Sequence, residues 1–209
     1  MIDILFENQD FIACIKPIGI QSQCDGADDM VHLLEKQLST KIYPVHRLDT
    51  AVGGTMIFAK NRMAAAVLSK EIAERHFEKS YLAVIDGKPE NREGRFEDFL
   101  FKDSRKNKSY VVKRERKGVK KASLDYSVVQ ECDEKTLVSV HLNTGRSHQI
   151  RVQFASRGMP LLGDGKYGSR DNSGTIALWS HRINFNFKSS DYEFESEPNY
   201  TVYPWKMFK

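Results

Sequence analysis

The sequence predicts an α+β domain on a mostly antiparallel mixed sheet flanked by helices and loops, and three observations carry that prediction. Segments of strand composition outnumber segments of helical spacing, short turn-forming stretches join them as hairpins, and helical spacing interrupts the order at only two or three places. A chain of 209 residues is long enough to bury its own core, so one domain over residues 1–209 is expected. Apolar residues at 40% and charged residues at 29% exclude a disordered or fibrous chain.

Taken in order, Ile2, Ile4 and Phe6 alternate with Asp3 and Leu5, and the apolar run 11–15 follows across Glu7, Asn8, Gln9 and Asp10, which predicts a hairpin. Lys16, Pro17, Ile18 and Gly19 break it. From Asp28 or Asp29, either able to cap, Met30, Leu33, Leu34 and Leu38 recur at helical spacing. Residues 55–59 read as a strand, and Asn61 then caps an alanine-rich helix from Arg62 to about His76. Residues 79–86 read as a buried strand, and 124–129 and 137–142 as two more. Residues 146–160 are ambiguous. Ile150, Val152 and Phe154 alternate as in a strand, but Arg157, Gly158 and Pro160 are helix-stop signals, and a short helix carrying His148 and Arg151 on one face is favoured. Residues 176–187 supply one or two closing strands.

Residues 102–121 stand apart. They hold ten basic residues, among them Lys106, Lys108, Lys113 and Arg114, against Asp103 and Glu115. The local charge is +8 where the whole chain carries +4, so the remainder is at −4. Tyr110, Val111 and Val112 within the run suggest a strand, and a protruding basic hairpin at about 102–121 is predicted. Such a hairpin suits phosphate contacts that carry no sequence information, and it also fits a merely solvated charged edge.

Cys14, Cys24 and Cys132 match neither a CxxC pair nor a zinc framework, which predicts reduced thiols. The opening ten residues lack a signal-peptide pattern, and no apolar run approaches a membrane span. A cytoplasmic protein without membrane contact is expected, and a monomer. The six histidines show no metal-ligand spacing, so no metal is expected.

Two clusters could carry chemistry. In His46-Arg47-Leu48-Asp49, extended backbone would project Arg47 and Asp49 to one side and His46 and Leu48 to the other. A carboxylate beside a guanidinium stays ionised, as a nucleophile requires, although an Arg-Asp pair closing a turn fits the same residues. In Asn143-Thr144-Gly145-Arg146-Ser147-His148-Gln149-Ile150-Arg151, the donors of Arg146, His148 and Arg151 suit a phosphate or carboxylate, and equally a basic surface turn.

Together these segments resemble the ribosomal and transfer RNA pseudouridine synthases marked by an HRLD segment, over nearly the whole chain. The stretch 11–20, with Lys16-Pro17 and Gly19, is similar to the family's opening segment, and His46 to Asp49 with Gly54 and Ala59-Lys60 to its active-site motif. Lys79-Ser80-Tyr81-Leu82-Ala83-Val84 resembles the segment that holds its tyrosine, and 142–152 its third motif. Gly163-Asp164-Gly165-Lys166-Tyr167-Gly168 and the stretch 177–183 resemble the two segments that follow. Val52-Gly53 departs from the family's usual Thr-Ser, removing two hydroxyls near Asp49.

The resemblance implies a pseudouridine synthase fold around a central RNA-binding cleft. It implies isomerisation of uridine to pseudouridine in ribosomal or transfer RNA, with a base flipped out of its stack. Asp49 would be the nucleophile, Tyr81 would stack on the base, and Arg151 would pair with Asp49. His46, Arg47, Lys79, Arg146 and His148 would contact RNA with the basic hairpin. No atoms are gained or lost, so no cofactor is expected. The chain is expected to begin directly with the catalytic domain, without an accessory RNA-binding domain. A catalytically weak or silent RNA-binding or ribosome-assembly protein on the same fold is the alternative, motivated by Val52-Gly53.

Overall fold

The computed structural model describes residues 1–24, 29–172 and 174–209. Strands are numbered β1 to β11 and helices α1 to α3 along the chain. The chain divides into two compact units, residues 1–79 with 179–198 and residues 80–178 with 199–209.

In the first unit, β1 (Asp3–Glu7) and β2 (Phe11–Lys16) form the predicted antiparallel hairpin. Asn8 closes it by accepting at Oδ1 from the N–H groups of Asp10 and Phe11, both at 2.8 Å. β2 pairs antiparallel with β4 (Gly53–Ala59), and β4 pairs antiparallel with the short β3 (Tyr43–Pro44). β4 also pairs in parallel with the start of β10 (Leu178–Phe187), which folds back on β11 (Ser190–Glu195). Every residue of β4 is buried, which explains a continuous apolar run where a half-exposed strand would alternate.

Both predicted caps are in place. Asp29 accepts from His32 N–H at 2.8 Å and starts α1 (Met30–Leu38); Asp28, the other candidate, lies outside the described residues. Asn61 accepts from Ala64 N–H at 2.8 Å and starts α2 (Arg62–Glu74). Ala64 and Leu68 of α2 enter a core with Phe11, Ile57, Phe77, Ile183 and Phe185. Phe77 and Phe185 stack with centroids 5.1 Å apart.

The second unit is an antiparallel run of strands in the order β5 (Glu78–Asp86, its first two residues in the first unit), β9 (Lys135–Leu142), β8 (Val119–Cys132), β6 (Glu93–Asp103) and β7 (Lys108–Val112). The basic run is therefore not one protruding hairpin. Its first half is the β6–β7 hairpin, and residues 113–118 then lead to β8, which pairs with the other side of β6. The sequence could not reveal this, because the intervening pairing is made by residues 93–101, a net acidic stretch outside the basic run.

The ambiguous stretch forms α3 (Gln149–Ala155), of which residues 149–154 are all buried. A helix buried on every side shows no amphipathic period, so its apolar residues could alternate without making a strand. His148 stands outside it. With φ +54° it is the N-cap residue, so it does not share a helical face with Arg151 as the spacing suggested. Among the described residues no helix is long and apolar enough to cross a membrane.

Candidate active site

The segment 46–49 lies between β3 and β4, and its alternation is as predicted. His46 and Leu48 are each 8% exposed, Arg47 is exposed and Asp49 is half-buried. Buried hydrogen bonds fix the inward pair. Ile57 N–H donates to His46 Nε2 at 3.0 Å, the Leu48 N–H donates to Ser22 Oγ at 2.9 Å, and the Ser22 hydroxyl donates to the Leu48 carbonyl at 2.9 Å. Val52 N–H then donates to the Asp49 carbonyl at 3.0 Å, turning the chain into β4.

Lys16, whose place in the site the sequence reading did not recognise, is fully buried beneath this turn. Its Nζ donates to the carbonyls of Pro17 (2.8 Å), Ile20 (2.5 Å) and Thr50 (3.3 Å). Burial lowers its pKa to about 8, against the opposing pull of the Asp49 charge. An ammonium with three carbonyl acceptors thus anchors the loop after β2 to the residue after Asp49. The signal in the sequence was a lysine ending an otherwise apolar strand just before proline.

His46 is pushed down to about 3, by burial first and then by the charge of Lys79. Its Nε2 accepts a backbone hydrogen bond, so the neutral ring carries its proton on Nδ1, and Nδ1 is buried without a hydrogen-bond partner among the described residues. Lys79 is half-buried over the Phe77 ring at 5.7 Å, and burial lowers its pKa.

Gly53 and Gly54 are required by the parallel step against Trp179 and Ser180. A Cβ on Gly54 would fall 2.3 Å from the Ser180 carbonyl oxygen, and its φ of +118° already excludes ordinary side chains. A Cβ on Gly53 would fall 2.5 Å from the Trp179 ring.

The second unit holds Tyr81 and Arg151. Tyr81, 6% exposed, lies in β5 opposite Val140 of β9. Arg151 in α3 makes a buried bidentate pair with Asp164, Nε to Oδ2 at 2.6 Å and Nη2 to Oδ1 at 2.8 Å. Tyr167 lies against it, with the guanidinium carbon 5.1 Å from its ring centroid. The Tyr167 hydroxyl accepts from Ser109 N–H at 2.8 Å and hydrogen-bonds His148 Nδ1 at 2.9 Å. His148 and Arg151 are thus gathered by Tyr167 and not by a shared helical face. Asp164 and Tyr167 belong to the resembling segment 163–168, but nothing local marks them as partners of a helix that begins 15 and 18 residues earlier.

Of the residues expected to contact RNA, Arg47, Lys106, Lys113 and Arg114 are exposed. Others are engaged within the protein. Lys108 Nζ donates to the Lys166 carbonyl at 2.5 Å and lies 5.0 Å from the Tyr167 centroid, and Arg146 Nε donates to the Lys121 carbonyl at 3.0 Å. Ligand atoms of Glu71, Glu74 and His76 lie within 4.8 Å of one another, a grouping that sequence spacing did not show. Their contacts account for it as a cluster of polar side chains at the end of α2, with His76 Nδ1 3.4 Å from Glu71 and 3.9 Å from Glu74.

A family model for RNA pseudouridylate synthases matches residues 10–156. An uncharacterised RNA pseudouridine synthase of Bacillus subtilis is 32% identical over 178 residues, covering 80% of this chain and 58% of that protein. The ribosomal large subunit pseudouridine synthase D of Borreliella burgdorferi is 31% identical over 213 residues, covering 94% of this chain and 65% of that protein. The chain thus spans about three fifths of the length of these relatives. Among solved structures, human RNA pseudouridylate synthase domain containing 1 superposes with a TM-score of 0.84 at 20% identity, covering 98% of this chain and 86% of that one, a likeness of fold. With the matched region running from β2 to the end of α3, and the HRLD turn within it, this chain belongs to the RNA pseudouridylate synthase family.

Proposed function

We propose that this chain isomerises uridine to pseudouridine in structured RNA, ribosomal or transfer, with Asp49 as the nucleophile. The observation that carries this reading is the presentation of Asp49. The residues on either side of the turn are buried and hydrogen-bonded, Lys16 anchors the carbonyl of the next residue, and Asp49 between them is only half-buried. Such a group is preorganised to attack, which a flexible surface aspartate is not.

In the reaction, the bond from C1′ to N1 breaks, the base turns, C1′ joins C5, and the C5 proton is lost while N1 regains one. The carboxylate adds either to the sugar carbon or to the pyrimidine ring. Tyr81 stacks on the extruded base and assists proton removal from C5, and Arg151 keeps the role that the family resemblance gives it. The exposed Arg47, Lys106, Lys113 and Arg114 contact the RNA backbone, joined by the less exposed Lys79, Lys108, Arg146 and His148. His46, buried and bonded to β4, serves the site by holding the turn.

Carbodiimide-based detection of pseudouridine in RNA incubated with the protein tests this reading. New pseudouridine is expected. RNA binding without any pseudouridine would favour the silent RNA-binding alternative, and release of free uracil would point to a glycosidic hydrolase.

A further inference from the structure

Gly53 and Trp179 face each other across the parallel β4–β10 step. The indole occupies the place that a side chain at 53 would take, since a Cβ there would meet Trp179 Cζ3 at 2.5 Å and Ile18 Cγ1 at 3.0 Å. The turn closed by Val52 N–H on the Asp49 carbonyl ends one residue before Gly53, so the indole lies at the foot of that turn.

The polar end of the indole is already bound. Trp179 Nε1 donates to the Ser196 carbonyl at 3.0 Å and the Ser196 hydroxyl at 3.1 Å, and that hydroxyl, itself buried, hydrogen-bonds Thr55 Oγ1 at 2.9 Å. With its N–H consumed, half-buried Trp179 presents only hydrocarbon ring to its surroundings, beside Ile18 at 41% exposure. A rigid indole held by its nitrogen is suited to stacking, because every nucleobase offers a π-face and stacking needs no further hydrogen bond.

We propose that Trp179 is a nucleobase-stacking residue beside Asp49, and that residue 53 is glycine so that the indole can take this place. This rests on the reading that the chain acts on RNA. Loss of the family's hydroxyl at 53 is then an exchange of a polar contact for an aromatic one, and not a sign of a decayed site.

The chain has two tryptophans, and the other, Trp205, is buried in the second unit, so emission can be assigned. The Trp205→Phe protein is titrated with a uridine-containing RNA labelled for anisotropy. Trp179 emission is expected to change and to saturate at the RNA concentration at which anisotropy saturates. If Trp205→Phe does not fold, wild type and Trp179→Phe are titrated in parallel and their difference carries the signal. Trp179→Leu, which keeps bulk over Gly53, is expected to weaken binding roughly fivefold to a hundredfold, while Trp179→Phe retains most of it. RNA binding with unchanged Trp179 emission, or equal affinity for the Leu and Phe variants, overturns the proposal. Absence of RNA binding by anisotropy overturns it together with the RNA reading beneath it, so the two failures are distinct.

Discussion

Ser22 uses one hydroxyl to donate to the Leu48 carbonyl and accept from the Leu48 N–H, both bonds buried. Ser22→Ala leaves two buried backbone groups unpaired beside Asp49, and a loss of about 1–3 kcal/mol in stability is expected from denaturant unfolding. Gly54→Ala should be more damaging, since the new methyl would meet Ser180 backbone and the φ is wrong for alanine; a drop in stability of about 3 kcal/mol or more, or failure to fold, is expected. Legibility at this scale followed distance along the chain. The alternation in 46–49 was readable because it depends on adjacent residues. Lys16 was not, because one of its three carbonyl partners lies 34 residues away, and Asp164 was not, because it pairs with Arg151 across a turn.

The elements show what local rules can and cannot settle. Asn61 and Asp29 cap the helices as read, since capping needs only the next three residues. The basic run was legible as charge but not as topology, since β6 inserts between β7 and β8. Its exposed residues remain the ones to test. Replacing Lys106, Lys113 and Arg114 together by alanine should weaken RNA binding and flatten the slope of log K against log salt by about 2 to 3 if each meets a phosphate. An unchanged slope in a filter-binding series would remove these residues from the interface.

For the whole molecule, the concentration of +8 on one segment against −4 elsewhere predicts that the proposed RNA binding depends on ionic strength more steeply than a mean charge of +4 would suggest. Stability should also depend on pH through His46. Its folded pKa of about 3 is below the unfolded value of 6.5, so between those limits the unfolded chain binds the extra proton. The contribution is full above pH 6.5 and is lost as pH falls towards 3, on the order of a few kcal/mol in total. The acid-side fall in unfolding free energy should therefore begin near pH 6.5 and be smaller in His46→Asn. The central claim concerns Asp49, and its most direct test is Asp49→Ala assayed for both pseudouridine formation and RNA affinity. The account predicts a folded protein that binds RNA within a few-fold of wild type and forms no pseudouridine; a folded variant that still forms it would contradict the account.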